Sequence, residues 1–301
     1  MKINEYREIA ACLKGERVLY HYYPDRYAFL LLSWACDQGI GLDSLRESRY
    51  GALLQKPAVR ELLAGCGSAR VQKSTFDDHW PSETRIFVLE LDSWSQLQTS
   101  RSGEQSYNLV LQLNFTQEHM QELRARFGCT DLFNYSGHPV QNGAGKNRRE
   151  TLAWARIDLD LHRDEALIEE VQSDWVSSLH WASLYGWTVD GNKLPKEQFR
   201  SYRKESLGWL NSQWSEAMLV AALQFIRFEL GISQIFFHTW EGGNLVKDMA
   251  HCEPPRSLYT KLPRRFCLTR TSQAPLFLLD DRRLRRLFRA RRDIEFYRLV
   301  S

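Results

Sequence analysis

The stretch with the most chemistry in it is Leu152–Trp175, LAWARIDLDLHRDEALIEEVQSDW. Two apolar-rich runs, Leu152–Leu159 and Ala166–Trp175, flank a polar turn at His162, Arg163 and Asp164, the pattern of a β-hairpin. Side chains alternate along a strand, so Glu170, Gln172 and Asp174 share one face, and Leu167, Glu169 and Val171 the other. With the turn centred near Arg163, Arg156 lies opposite Glu170 and Trp154 opposite Gln172. An arginine–carboxylate pair beside an amide and a second carboxylate is costly to bury unless it is hydrogen-bonded or used. A salt-bridged sheet edge is one reading and a functional cluster the other. The apolar run around Glu169-Glu170 favours the second.

Such a cluster offers two chemistries. Glu170 or Asp174 could act as a general base oriented by Arg156. Alternatively Glu170, Gln172 and Asp174 could ligate magnesium or calcium, given one more carboxylate or a histidine from a neighbouring strand. His238 ends the strand-like run ISQIFFHT. If that strand runs parallel to Ala166–Trp175, His238 approaches Gln172 and Asp174 at the carboxyl ends of the strands, where ligands bind. A packed, hydrogen-bonded histidine is the equal alternative. Asp158 and Asp160 read as solvated turn carboxylates.

The elements that must position these residues belong to a chain of 301 residues, 43% apolar and 12% aromatic, enough for one large domain or two. A net charge of +3 makes no case by itself for nucleic acid or membrane. Six scattered cysteines without a CxxC exclude a cysteine zinc cage, and the start MKINEYREIA lacks an apolar signal core. No apolar run is long enough for a bilayer, so a cytoplasmic protein with reduced thiols is expected.

Residues 1–80 read as a mostly helical part, with helices over Tyr27–Gln38 and Leu53–Leu63. Residues 81–301 read as a mixed α/β domain. It has strands at Thr84–Leu91 and Tyr107–Phe115, a helix at Gln117–Phe127 and the central hairpin. A buried helix at Trp214–Leu230, the strand Ile232–Thr239, a short helix at RSLYTKL and a strand at Ala274–Leu279 complete it. The Gly- and Asn-rich segment between Gly128 and Arg149 is a long loop or a joint. Its GAGK, at Gly143–Lys146, lacks the full phosphate-loop pattern. Toward the end, DDRRLRRLFRARRDIEFYRLV holds eight arginines. Leu284, Leu287 and Phe288 fall at helical spacing, giving a basic amphipathic helix suited to nucleic acid or to a solvated surface.

Two resemblances add to this. LIEEVQSDW, with Asn147–Glu150 and Arg156 before it and Trp214–Gly231, His238-Thr239 and Tyr259 after it, resembles the IEEIQSDW-motif domain of large phage and mobile-element polyvalent proteins over roughly residues 145–270. This sequence departs from that family in reading NRRE for NYRE and in carrying Trp154 at a family histidine position. Separately, Ser257-Leu258-Tyr259 with Lys261 and Phe266 looks like the last helix of GNAT-type acyltransferases. That resemblance implies a GNAT-like C-terminal fold, Tyr259 as general acid, and acyl-CoA as donor. The Gly-rich pyrophosphate turn of those enzymes is absent from Ser173–Asn211.

The sequence thus points to a GNAT-like transferase acting on a polar small molecule or a nucleic-acid-linked acceptor. Glu170, Asp174, Tyr259 and His238 would be its catalytic candidates, and Arg156, Gln172, Trp175 and Arg256 its substrate-binding candidates. Acyl-CoA or a divalent metal is the candidate cofactor. The alternative is a non-catalytic, mobile-element-associated module that binds nucleic acid through the C-terminal arginines.

Overall fold

Alternation of β-formers in eight segments produces one sheet. Its strands are β1 (Val18–Tyr22), β2 (Arg85–Ser95), β3 (Tyr107–Phe115), β4 (Thr151–Asp160), β5 (Glu165–Gln172), β6 (Gln234–His238), β7 (Thr269–Thr271) and β8 (Phe296–Leu299). The computed structural model describes residues 1–13, 18–95, 99–101, 107–129, 132–133, 138, 149–189, 191–249 and 254–299. The strand order is β1-β2-β3-β4-β5-β6-β8-β7. The β5–β6 pair is parallel and the other neighbours are antiparallel. This is the mixed α/β sheet expected from the element order. Because β1 pairs with β2, strands from either side of residue 80 share that sheet.

The helices that matter for the site are α1 (Ile3–Leu13), α2 (Arg26–Ala35), α3 (Gln117–Phe127), α4 (Asp174–Tyr185), α5 (Leu210–Gln224), α6 (Trp240–Lys247) and α7 (Arg282–Ala290). α5 is built from Ala, Leu, Met and Val around most of its circumference, so it can only be an interior helix. It lies on β4 and β5 and forms the main core with Ala153, Ala155, Ile157, Ile168, Ile235 and Phe237. The opposite face of the sheet carries a smaller core of Leu167, Phe236 and Phe296 packed on Val246, Phe277, Leu284 and Ile294.

Three expectations are corrected. Ala274–Leu279 is no strand: after Pro275 the chain makes a 3-10 turn, Leu276–Asp280, and the sheet closes with β7 and β8. The strand expected to reach Trp175 stops at Gln172, because the Ser173 hydroxyl accepts a hydrogen bond from the Val176 N–H and caps α4. Asp174 and Trp175 are therefore helical residues. Third, the strict alternation fails in β5. Arg156 pairs with Glu170 and Ile157 with Ile168, which leaves Glu169 as an extra residue, a β-bulge. Glu169 and Glu170 consequently stand on the same face, the face of Leu167 and Arg156. Residues 102–106, 130–131 and 139–148, with Gly143–Lys146, Asn147 and Arg148, lie outside the described residues.

Candidate functional site

The expected cross-strand pairs are present. Trp154 faces Gln172 and Arg156 faces Glu170. Arg156 NH2 donates to Glu170 Oε2 at 2.7 Å, with both side chains almost fully removed from solvent. The other Glu170 oxygen, Oε1, makes no hydrogen bond among the described residues, and the residue keeps 6% of its surface accessible. A carboxylate held by one oxygen, with the other available, has the form of a general base.

Glu169 is different. Its Oε1 accepts from the Ser100 N–H at 3.1 Å and its Oε2 from the Ser100 hydroxyl at 2.7 Å. His238 Nε2 lies 3.0 Å from the same Oε2 and 2.9 Å from Ser100 Oγ. Lys247, on α6, donates to the Glu169 backbone carbonyl at 3.2 Å. Burial alone would push the Glu169 carboxyl up. The His238 hydrogen bond, the charge His238 carries once protonated in acid, and the charges of Lys247 and Arg156 instead bring it down to about 2. Burial pushes His238 the other way, below its usual range, against the pull of Glu169. We therefore take Glu169 as ionised and His238 as a neutral donor through Nε2. Its Nδ1 has no hydrogen-bond partner among the described residues.

A serine, a histidine and a glutamate in contact invite a nucleophilic triad, but the geometry is wrong for one. In a triad the two ring nitrogens serve different partners, whereas here serine and carboxylate meet the same nitrogen. The group is a buried brace. Gly243 suits this close packing: a Cβ there would stand 3.1 Å from His238 Cβ and 3.2 Å from Cγ, so an alanine would press the ring by a few tenths of an ångström.

His238 was expected beside Gln172 and Asp174. Its strand is parallel to β5 as required, but the bulge brings Glu169 round to meet it. Asp174 lies apart, accepting from Gln172 Nε2 at 2.8 Å, Trp154 Nε1 at 3.3 Å and contacting His138 Nδ1 at 2.7 Å. Burial would raise its carboxyl, yet the hydrogen bond from His138 and those from Gln172 and Trp154 hold it below the usual range. Trp175 is buried in the main core on the other side of the sheet, its Nε1 donating to Glu150 and its ring edge-on to Phe133 and Phe115. Arg256 is exposed, bonded to Glu241 and stacked over Trp240. Asp158 is the reverse of a solvated carboxylate: fully buried, it takes the Met1 ammonium at 2.5 Å and Arg101 Nε at 2.6 Å.

Tyr259 lies on the main-core side of the sheet, close enough to the cluster to feel the Glu170 charge. The parallel ladder runs from Gln234/Glu165 to Phe237/Ile168, while β5 stays paired with β4 out to Gln172. β6 ends one residue past that ladder, at His238, which is still joined to Glu169 on β5. Tyr259 packs on Phe237 (ring centroids 5.4 Å apart), and the Val171 N–H faces its hydroxyl without closing a hydrogen bond. Burial, reinforced by the Glu170 charge, drives its phenol well above its usual range, so it stays protonated. Comparison with known protein families, with characterised proteins and with solved structures finds no match to this chain.

Glu169, Ser100, Lys247 and the amide row were not singled out as site residues from the sequence. The row is Asn108, Gln112 and Asn114, which share with Val110 the polar face of β3. It was visible as alternating N, V, Q and N within the apolar YNLVLQLNF. Asn114 donates to Glu90 Oε2 at 2.7 Å and accepts from the Thr151 hydroxyl at 2.7 Å. Lys247 had a weaker signal, a lysine directly after Leu245-Val246.

The site does not fit two candidate groups. A CoA diphosphate arm needs a helix start presenting free N–H groups. α4 instead begins with Ser173 bonded to Val176 and with the anionic Asp174. For a metal, no group of three or more His, Cys, Asp or Glu side chains converges among the described residues.

Proposed function

We propose that the chain is a GNAT-like transferase whose reacting groups lie where the β5–β6 ladder ends. The observation that supports this is the bulge at Glu169 where the β5–β6 ladder ends, with the buried Tyr259 hydroxyl near enough to feel the Glu170 charge. Group transfer needs one side chain to take a proton from the acceptor and another to return one to the leaving group. Glu170, oriented by Arg156, suits the first, and the protonated Tyr259 hydroxyl suits the second. The Glu169–His238–Ser100 brace and Lys247 hold these strands and stay out of the proton path. The resemblance of Ile168–Trp175 to the IEEIQSDW-motif domain of mobile-element proteins belongs to the same reading and suggests a polar or nucleic-acid-linked acceptor. Because the α4 start rejects a diphosphate, no step is assigned to CoA.

The test is thermal melting of the wild type, Glu170→Gln and Tyr259→Phe, each alone and with acetyl-CoA, acetyl phosphate or short oligonucleotides. Support is a ligand-induced rise in the wild type that Glu170→Gln abolishes while its unliganded melt is unchanged. If Glu170→Gln melts early by itself and no ligand acts on the wild type, Glu170 is structural and the transferase reading fails.

A further inference from the structure

We infer that the outer face of α7 is a docking surface for the phosphate backbone of duplex DNA, independent of any transfer chemistry. The eight arginines from Arg282 to Arg298 divide into two groups. Arg283 donates to the Ser100 carbonyl at 2.7 Å and the Val246 carbonyl at 2.9 Å, and Arg285 to the Leu279 carbonyl at 2.8 Å. Arg291 is forked onto Asp293 at 2.9 and 2.8 Å, and Arg298 reaches Gln234 at 3.0 Å. These four serve the protein. Arg282, Arg286, Arg289 and Arg292 are exposed and make no side-chain hydrogen bond or ion pair among the described residues.

On a helix, residues 282, 286 and 289 fall within one narrow stripe, and span about 10 Å at 1.5 Å per residue. Their forked guanidinium groups match phosphate oxygens. The inner side of the same helix is fixed: Leu284 is buried, Leu287 and Phe288 pack on the smaller core, and Arg283 ties the helix to Ser100 and to the end of α6. The stripe is therefore presented by a rigid rod. Single-stranded nucleic acid is held by exposed aromatic rings on which bases stack, and α7 offers none, its one ring, Phe288, being turned into the core. Backbone contact without base reading fits a duplex, and it predicts binding without sequence preference.

Fluorescence anisotropy with a labelled 24-base-pair DNA decides it. Four phosphate contacts give a slope of log affinity against log salt of about −3.6, hence roughly 10²-fold weaker binding at 200 than at 50 mM salt. Arg282→Gln/Arg286→Gln/Arg289→Gln, which keeps helix-forming residues on an exposed face, is expected to melt like the wild type. Its salt slope should fall to about −0.9. Arg291→Gln should bind DNA as the wild type does. Wild-type binding that the triple variant leaves unchanged overturns the inference. So does tighter binding to a single strand or to anionic phosphatidylserine vesicles than to the duplex, or equal losses in Arg291→Gln and the triple variant. A Glu170→Gln protein that binds DNA normally separates this surface from the transfer site.

Discussion

Arg156→Met removes the positive partner of Glu170 while nearly preserving volume. The pair is joined at 2.7 Å, and its side chains are 1% and 8% exposed, so the substitution strands a carboxylate where water hardly reaches. Breaking one side of a buried pair costs about 3–5 kcal/mol, because the remaining charge keeps its desolvation penalty without compensation. Glu169 is affected less, since Ser100, His238 and Lys247 still serve it. Urea unfolding monitored by tryptophan fluorescence gives the loss, and Arg156→Met/Glu170→Met should recover most of it, as replacing both charges by apolar groups is close to neutral. The exposed pair Arg291–Asp293 supplies the contrast, and Arg291→Gln should leave the unfolding midpoint unchanged. A cost below about 1 kcal/mol for Arg156→Met, the value of a surface pair, would refute the reasoning: Glu170 would then be a solvated carboxylate with nothing to poise it.

Three further outcomes are expected. Stability should fall with acid in two windows. His238 resists protonation in the fold and gains it on unfolding below its ordinary 6.5, while Glu169 binds its proton in the fold only near 2 against 4.5 when unfolded. Both therefore withdraw stability as pH drops, and Glu169→Gln should flatten the limb between about 4.5 and 2 in a denaturation series. Gly242→Ala should destabilise by about 1–3 kcal/mol in thermal unfolding, since its Cβ would sit 2.5 Å from the Glu295 carbonyl oxygen; a neutral result would mean that α6 is not seated on the strand there. Asp174→Asn should cost less than Arg156→Met in the same urea assay, because the amide oxygen still accepts from one of the two donors, Gln172 or Trp154, and no buried charge is left stranded.

The hairpin, the Arg156–Glu170 and Trp154–Gln172 register and the parallel crossover to His238 were legible because each rests on alternation or on local turn chemistry. What was not legible depends on one residue of slippage. Nothing in LIEEVQ marks Glu169 as a bulge, and the bulge alone decides that two successive glutamates share a face and that His238 meets the first of them. Asp174 was misplaced because SDW reads as readily as strand as it does as a capped helix start. Asp158 looked solvated because its partners, Met1 and Arg101, are 157 and 57 residues away. Tyr259 was named from a motif rather than from spacing, and its packing on Phe237 comes from the tertiary arrangement.

The strand order has a consequence for how the molecule comes into being on the ribosome. β8, the last of the described strands, lies between β6 and β7 rather than outside them. Until residues 296–299 arrive, β6 has an open edge next to the half-built site and β7 has no partner in the sheet. The chain thus leaves the outer edge of β6, and with it the seat of α6 against Glu295, unfilled until residues 295–299 have been made. A nascent chain halted before Phe296 would carry an exposed edge strand in need of chaperoning. Trimming these few residues should do more harm than trimming an equal length from a strand at either margin.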